Sequence, residues 1–126
     1  MINNQGQSAS QVLLVSSLSA AATANASSST TYIDVRDYEG DLVFLINPGA
    51  ITGSCTPDIQ DATDTSGTGT ASIAANEGAY TALAANTPRK YTVNSGATRG
   101  FIRLINTVVT GPVLIGATML ARPKTV

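Results

Sequence analysis

Hydrophobic positions come in short runs divided by Gly, Asn, Pro and Ser along the 126 residues. The clearest run is Leu42-Val43-Phe44-Leu45-Ile46, entered through the polar turn Asp37-Tyr38-Glu39-Gly40. Five consecutive apolar positions predict a strand covered on both faces. Asn47-Pro48-Gly49 is expected to stop it, because proline lacks the ladder donor and glycine tolerates positive φ. Upstream, Tyr32-Ile33-Asp34-Val35 alternates, with Ile33 and Val35 on one face and Tyr32 and Asp34 on the other. Downstream, Ser54–Ala62 reads as a strand that Pro57 limits to an edge or a bulge.

The second half follows the same style. Arg89-Lys90-Tyr91-Thr92-Val93 places Arg89, Tyr91 and Val93 on one face, Asn94-Ser95-Gly96 turns the chain, and Phe101–Ile105 returns it. Thr110-Gly111-Pro112 is the last strong turn, and Val113–Ala121 is the closing strand. Between these runs the pattern fades. Val12–Leu18 predicts a strand, and the Ala/Ser/Thr tract from 19 to 30 a loop or an irregular edge strand. Residues 63–79 are the least determined, and Ala71–Tyr80 is a candidate for one helical turn. Seven or so short strands predict an all-β, antiparallel β-sandwich, Ig-like or jelly-roll-like, over residues 11–126. Residues 1–10 are polar and aperiodic and read as an N-terminal arm, held by something outside its own domain if it is ordered.

Composition sharpens this in three ways. Charged residues are 12% of the chain, about half the usual share of roughly 25%. The net charge of −1, with seven scattered Lys and Arg, argues against nucleic acid, whose binding depends on neutralised phosphates. No stretch approaches the roughly 18 apolar residues of a membrane span. Val12–Val15 followed by the Ala-rich stretch to Ala26 imitates a signal peptide. However, residues 1–11 carry no Lys or Arg, and Ser16, Ser17 and Ser19 break the apolar run.

Candidate chemistry is thin. The chain has no histidine and one cysteine, Cys55, which excludes an internal disulfide and leaves a thiol without the usual base. A serine triad lacks its histidine for the same reason. Asp58, Asp61 and Asp64 stand three apart, but a calcium loop has tighter spacing and a glutamate, so a solvated acidic stretch is expected. Asp34, Asp37, Glu39 and Asp41 surround Arg36. A glycosidase pair is not expected there, because six aromatics without tryptophan make a poor sugar groove. Gly67-Thr68-Gly69 lacks the Lys-Ser/Thr of a phosphate loop. Arg103 stands out, since it interrupts an apolar strand on the face shared by Phe101 and Ile105. Such an arginine is either an interface anchor or a snorkelling surface residue. The expectation is a protein without catalytic residues, metal or cofactor.

The order of these pieces resembles the small decoration, or cement, proteins of tailed-bacteriophage capsids. The likeness is carried by Ile33-Asp34-Val35 before Tyr38-Glu39-Gly40, the strand Leu42–Ile46 and the acidic Pro57-Asp58-Ile59-Gln60-Asp61. Phe101-Ile102-Arg103-Leu104 and the closing Val113–Ala121 with Arg122-Pro123 complete it, over roughly residues 12–126. The Gly/Thr/Ala-rich Thr65–Ala75 departs from it, since such proteins often carry an Asp-Gly-Ser turn and an aromatic strand there. The resemblance implies a non-enzymatic virion protein on the outer capsid surface, binding the major capsid protein and itself as a dimer or trimer. Ile2, Val12, Leu14, Phe101, Arg103 and Ile105 are the candidate interface residues. Two rival readings are a carbohydrate- or receptor-binding β-module, and a tail or head-completion subunit.

Overall fold

The computed structural model describes residues 13–23, 27–110 and 113–124. Its strands are β1 (Leu13–Thr23), β2 (Ser27–Ser29), β3 (Ile33–Asp34), β4 (Tyr38–Ile51) and β5 (Ser54–Ala62). They continue with β6 (Ala71–Ser72), β7 (Arg89–Asn94), β8 (Phe101–Val109) and β9 (Val113–Pro123). One sheet runs β1-β9-β4-β7, the other β2-β8-β5-β6. β3 joins β2 along the same edge of β8, whose other edge is taken by β5. All pairings are antiparallel.

Except for β2 to β3 and β5 to β6, each strand is followed by one in the opposite sheet. That is the double Greek-key wiring of a jelly roll. Of the two sandwich variants expected, it is the jelly roll that forms.

Strand alternation builds the core. Leu42, Phe44 and Ile46 of β4 are at most 1% exposed, as are Ile59 of β5, Ile102 and Leu104 of β8, and Val113 and Ile115 of β9. Full burial of each such side chain contributes about 1.5–3 kcal/mol. Tyr91 packs edge-on against Tyr80, ring centres 4.9 Å apart, and the Tyr80 hydroxyl donates to the Ile73 carbonyl. Asn106 also points into this core, fully buried, its side-chain amide without a hydrogen-bond partner among the described residues. An orphaned amide of that kind costs about 1–3 kcal/mol.

The segment from 73 to 88 closes the open side of the sandwich. Ile73 N–H donates to Ile59 O, Leu83 N–H to Cys55 O, and Asn76 N–H to Thr92 O. Instead of the helical turn expected over Ala71–Tyr80, the chain forms β6 and then a tight turn closed by the Gly78 N–H donating to Ala75 O. Glu77 finishes the edge of β7, accepting from Thr92 N–H at 2.6 Å and from its Oγ1 at 2.8 Å. Burial pushes the Glu77 carboxyl up, but these bonds outweigh it and leave the group below its ordinary range.

Two further expectations change. Asn47-Pro48-Gly49 does not stop β4, which continues to Ile51 with Pro48 buried opposite Ile115. The pairing explains this: β7 accompanies β4 only as far as Ile46, so beyond it β4 has one ladder partner and the missing proline N–H costs little. Pro57 sits likewise on a stretch of β5 paired with β8 alone. The second change concerns β4 itself. Its inner face is buried, whereas Val43 and Leu45 on its outer face are only half-buried.

Candidate functional site

The sandwich presents two outward sheet faces that differ in their polar content. On the five-stranded sheet, cross-strand register puts Gln60 opposite Arg103 and Asp58 opposite Ile105. Arg103 donates to Gln60 Oε1 from Nε at 3.0 Å and from Nη2 at 2.8 Å. Gln60 Nε2 donates to Asp58 Oδ2 at 3.3 Å, and Ser72 Oγ to Asp58 Oδ1 at 2.5 Å. The Arg103 guanidinium lies 4.8 Å over the Tyr32 ring, whose hydroxyl hydrogen-bonds with Thr70 Oγ1. These polar groups satisfy one another, and beside them the outward positions of β8 also carry half-buried Ile105 and Val109, 60% exposed.

On the four-stranded sheet, Val43 stands opposite Leu120, and Leu45 between Thr118 and Lys90. All three aliphatic side chains are half-buried. Leu114, 44% exposed, lies farther along the same face beside Gly49. A Cβ at Gly49 would lie 3.3 Å from the Leu114 Cβ, so the small residue leaves room for the leucine to lie down. Around these residues sit Lys90, Asp41, Glu39 and Arg122, the last two 4.0 Å apart. The face thus has a small apolar centre and a charged rim.

The expected site residues fall on different parts of the molecule. Ile2 and Val12 lie outside the described residues. Leu14 belongs to β1, its backbone opposite Leu120 of the apolar face. Arg103 and Ile105 are half-buried on the polar face, whereas Phe101 is buried under the Arg36 guanidinium, 4.9 Å from its ring centre. Sequence reasoning thus gathers β8 residues on the polar face and passes over Val43, Leu45, Leu114 and Leu120. The signal for Val43 and Leu45 was present in the unbroken apolarity of 42–46, which one buried face does not need.

The acidic groups each have their own structural task. Asp58 belongs to the polar network. Asp61, buried, receives Arg99 Nη2 at 2.8 Å and the Arg99 N–H at 3.1 Å, and this pairing holds its carboxyl below the usual range. Asp64 accepts from Thr68 Oγ1 and from the N–H groups of Thr68 and Ser66, which lower it too. Asp34 is clasped by Arg36 Nε and Nη2 at 2.9 and 2.7 Å, which brings it to about 2. No group of three or more metal-ligating side chains converges among the described residues. Cys55 is fully buried, and desolvation pushes its thiol up, the reverse of what a nucleophile needs.

No protein-family model matches the chain, and no curated protein matches its sequence. Solved structures do match. One is the N-terminal endo-1,4-β-D-xylanase 10B of Clostridium thermocellum, its CBM22-1 and GH10 modules complexed with xylohexaose. The superposition has a TM-score of 0.44 at 12% identity and covers 75% of this chain and 20% of that one. The chain therefore spans about a fifth of the structure it matches, a likeness too distant to say what it binds.

Proposed function

We propose that the chain is a non-enzymatic decoration protein of a bacteriophage capsid, docking on the outer shell and stabilising contacts between major capsid subunits. The observation that carries the reading is the outer face of β4. Leu42–Ile46 is apolar on both faces, and the described residues bury only one of them, leaving Val43 and Leu45 half-buried beside Leu120. Burial of such side chains against a partner is what drives stable association. The order of the sequence motifs supports a capsid partner, and residues 1–10 would supply an arm reaching a neighbouring subunit. Mixing the protein with expanded shells that lack it, then sedimenting, tests this. Saturation at a fixed number of copies per particle is expected, and absence of binding by folded protein refutes it.

A second reading, a carbohydrate-binding module, is favoured by the other face. Tyr32 and Arg103 lie beside Gln60 and Asp58 in an open polar sheet, the kind of surface that can receive hydroxyls. A glycan array separates the two: specific binding lost in Tyr32→Ala supports the module, and a blank array supports docking.

A further inference from the structure

Among the described residues, Asn106 Oδ1 and Nδ2 are the buried side-chain atoms that no hydrogen bond reaches. Their surroundings on β8 and β5 offer none. On the inner face of the sheet Asn106 stands between Leu104 and Val108, both buried, and Pro57 lies opposite it in the register of β5. Pro57 is buried as well, and a proline brings no N–H. These neighbours are apolar, whereas a trapped water needs about two to four polar partners.

On its other side Asn106 meets β2. That strand is three residues long, ends its sheet and pairs with β8 alone, Ser28 opposite Asn106. Just past it the chain is clasped. Thr30 N–H donates to Leu104 O at 3.0 Å, and Thr30 Oγ1 accepts from Leu104 N–H at 3.1 Å. Leu104 therefore turns its backbone groups to this edge. By the alternation of an antiparallel ladder Asn106 does the same, while Ile105 and Thr107 turn theirs to β5. The β5 ladder runs the whole length of β8, from Phe101 to Val109. β2 is the weaker side.

We propose that β2 is a strap poised to open, swinging on Thr30, and that the buried Asn106 side chain sets how often it does so. With β2 in place the carboxamide is desolvated and unbonded. With β2 lifted, water reaches it from the side that the strap covered, and the desolvation penalty is relieved. That relief offsets part of the cost of breaking a short ladder, so opening takes far less free energy than unfolding the sandwich. The open form bares the edge of β8 at Asn106 and leaves Val43, Leu45 and Leu120 in place, so the device does not rest on the decoration reading.

Hydrogen exchange followed by NMR on the full chain, in small steps of urea, tests this. The backbone N–H groups of Ser28 and Asn106 are expected to exchange about tenfold faster than that of Thr107, or more, and almost independently of urea, as a local opening does. Asn106→Leu removes the orphaned carboxamide. It should slow exchange at Ser28 about tenfold, the weight of one buried unpaired polar group, and keep the weak urea dependence there. The wild-type comparison stands by itself if the variant does not fold. Exchange at Ser28 and Asn106 with the rate and urea dependence of Thr107 would overturn the proposal, and so would an unchanged Ser28 rate in folded Asn106→Leu.

Discussion

The two outer faces of the sandwich are built on equally well-buried strands, yet they meet solvent in different ways. On the five-stranded sheet the outward positions of β5 and β8 carry Asp58, Gln60 and Arg103, which satisfy one another, next to Ile105 and Val109. On the four-stranded sheet the outward positions of β4 and β9 carry Val43, Leu45, Leu114 and Leu120. A satisfied polar network gains little from a partner, since docking must desolvate bonds already made. An apolar face gains from every ångström covered. That difference is why the proposed docking is placed on the second face.

The largest effect comes from breaking the frame both faces share. Gly53 has φ +75°, and a Cβ there would fall 2.2 Å from Thr110 O and 2.3 Å from Val109 O. Gly53→Ala forces the β4–β5 turn away from the β8 end and is expected to cost about 3 kcal/mol or more. Urea denaturation followed by circular dichroism reads that loss directly.

Next comes the ion pair behind the polar face. Asp61→Ala leaves the Arg99 guanidinium and N–H without their carboxylate, and about 2 kcal/mol of stability should go with them. Asp61 and Asp34 have folded pKa values below their unfolded ones. Their stabilisation is therefore complete above about pH 4 and fades as the pH falls through the folded values. With no histidine in the chain, the melting temperature should be flat from about pH 5 to pH 8. A thermal scan across pH should show the acid loss blunted in Asp61→Asn.

A smaller change separates the faces. Arg103→Ala removes the bonds to Gln60 and the contact with the Tyr32 ring. About 1 kcal/mol of stability should be lost, with shell binding untouched. If binding falls while stability holds, Arg103 is an anchor and the roles of the two faces are reversed.

Much of this architecture was legible in the chain, and where it was not, distance is the reason. β5 runs over Ser54–Ala62, the bounds read from the sequence. Arg89–Val93 and Phe101–Ile105 also lie within observed strands. Pro48 misled because its effect depends on where β7 ends, a fact set by residue 89 rather than by its neighbours. The helical turn over Ala71–Tyr80 was lost to hydrogen bonds with Ile59 and Thr92, which local propensity does not see. The polar network joins Tyr32, Gln60, Thr70 and Arg103 across three connections. No spacing rule links them. Arg103 looked unusual in its strand for a sound reason, but the residues that satisfy it lie far along the chain.

The smallest expected change in stability goes with the largest expected change in binding, at Leu45. Its side chain is half-buried on the outer face, so Leu45→Lys should shift folding stability by about 1 kcal/mol or less. The decisive measurement is the number of copies of Leu45→Lys, beside the wild type and Gln60→Lys, that co-sediment with expanded shells. Docking through the four-stranded face predicts wild-type occupancy for Gln60→Lys and none for Leu45→Lys. Full occupancy by Leu45→Lys would contradict it.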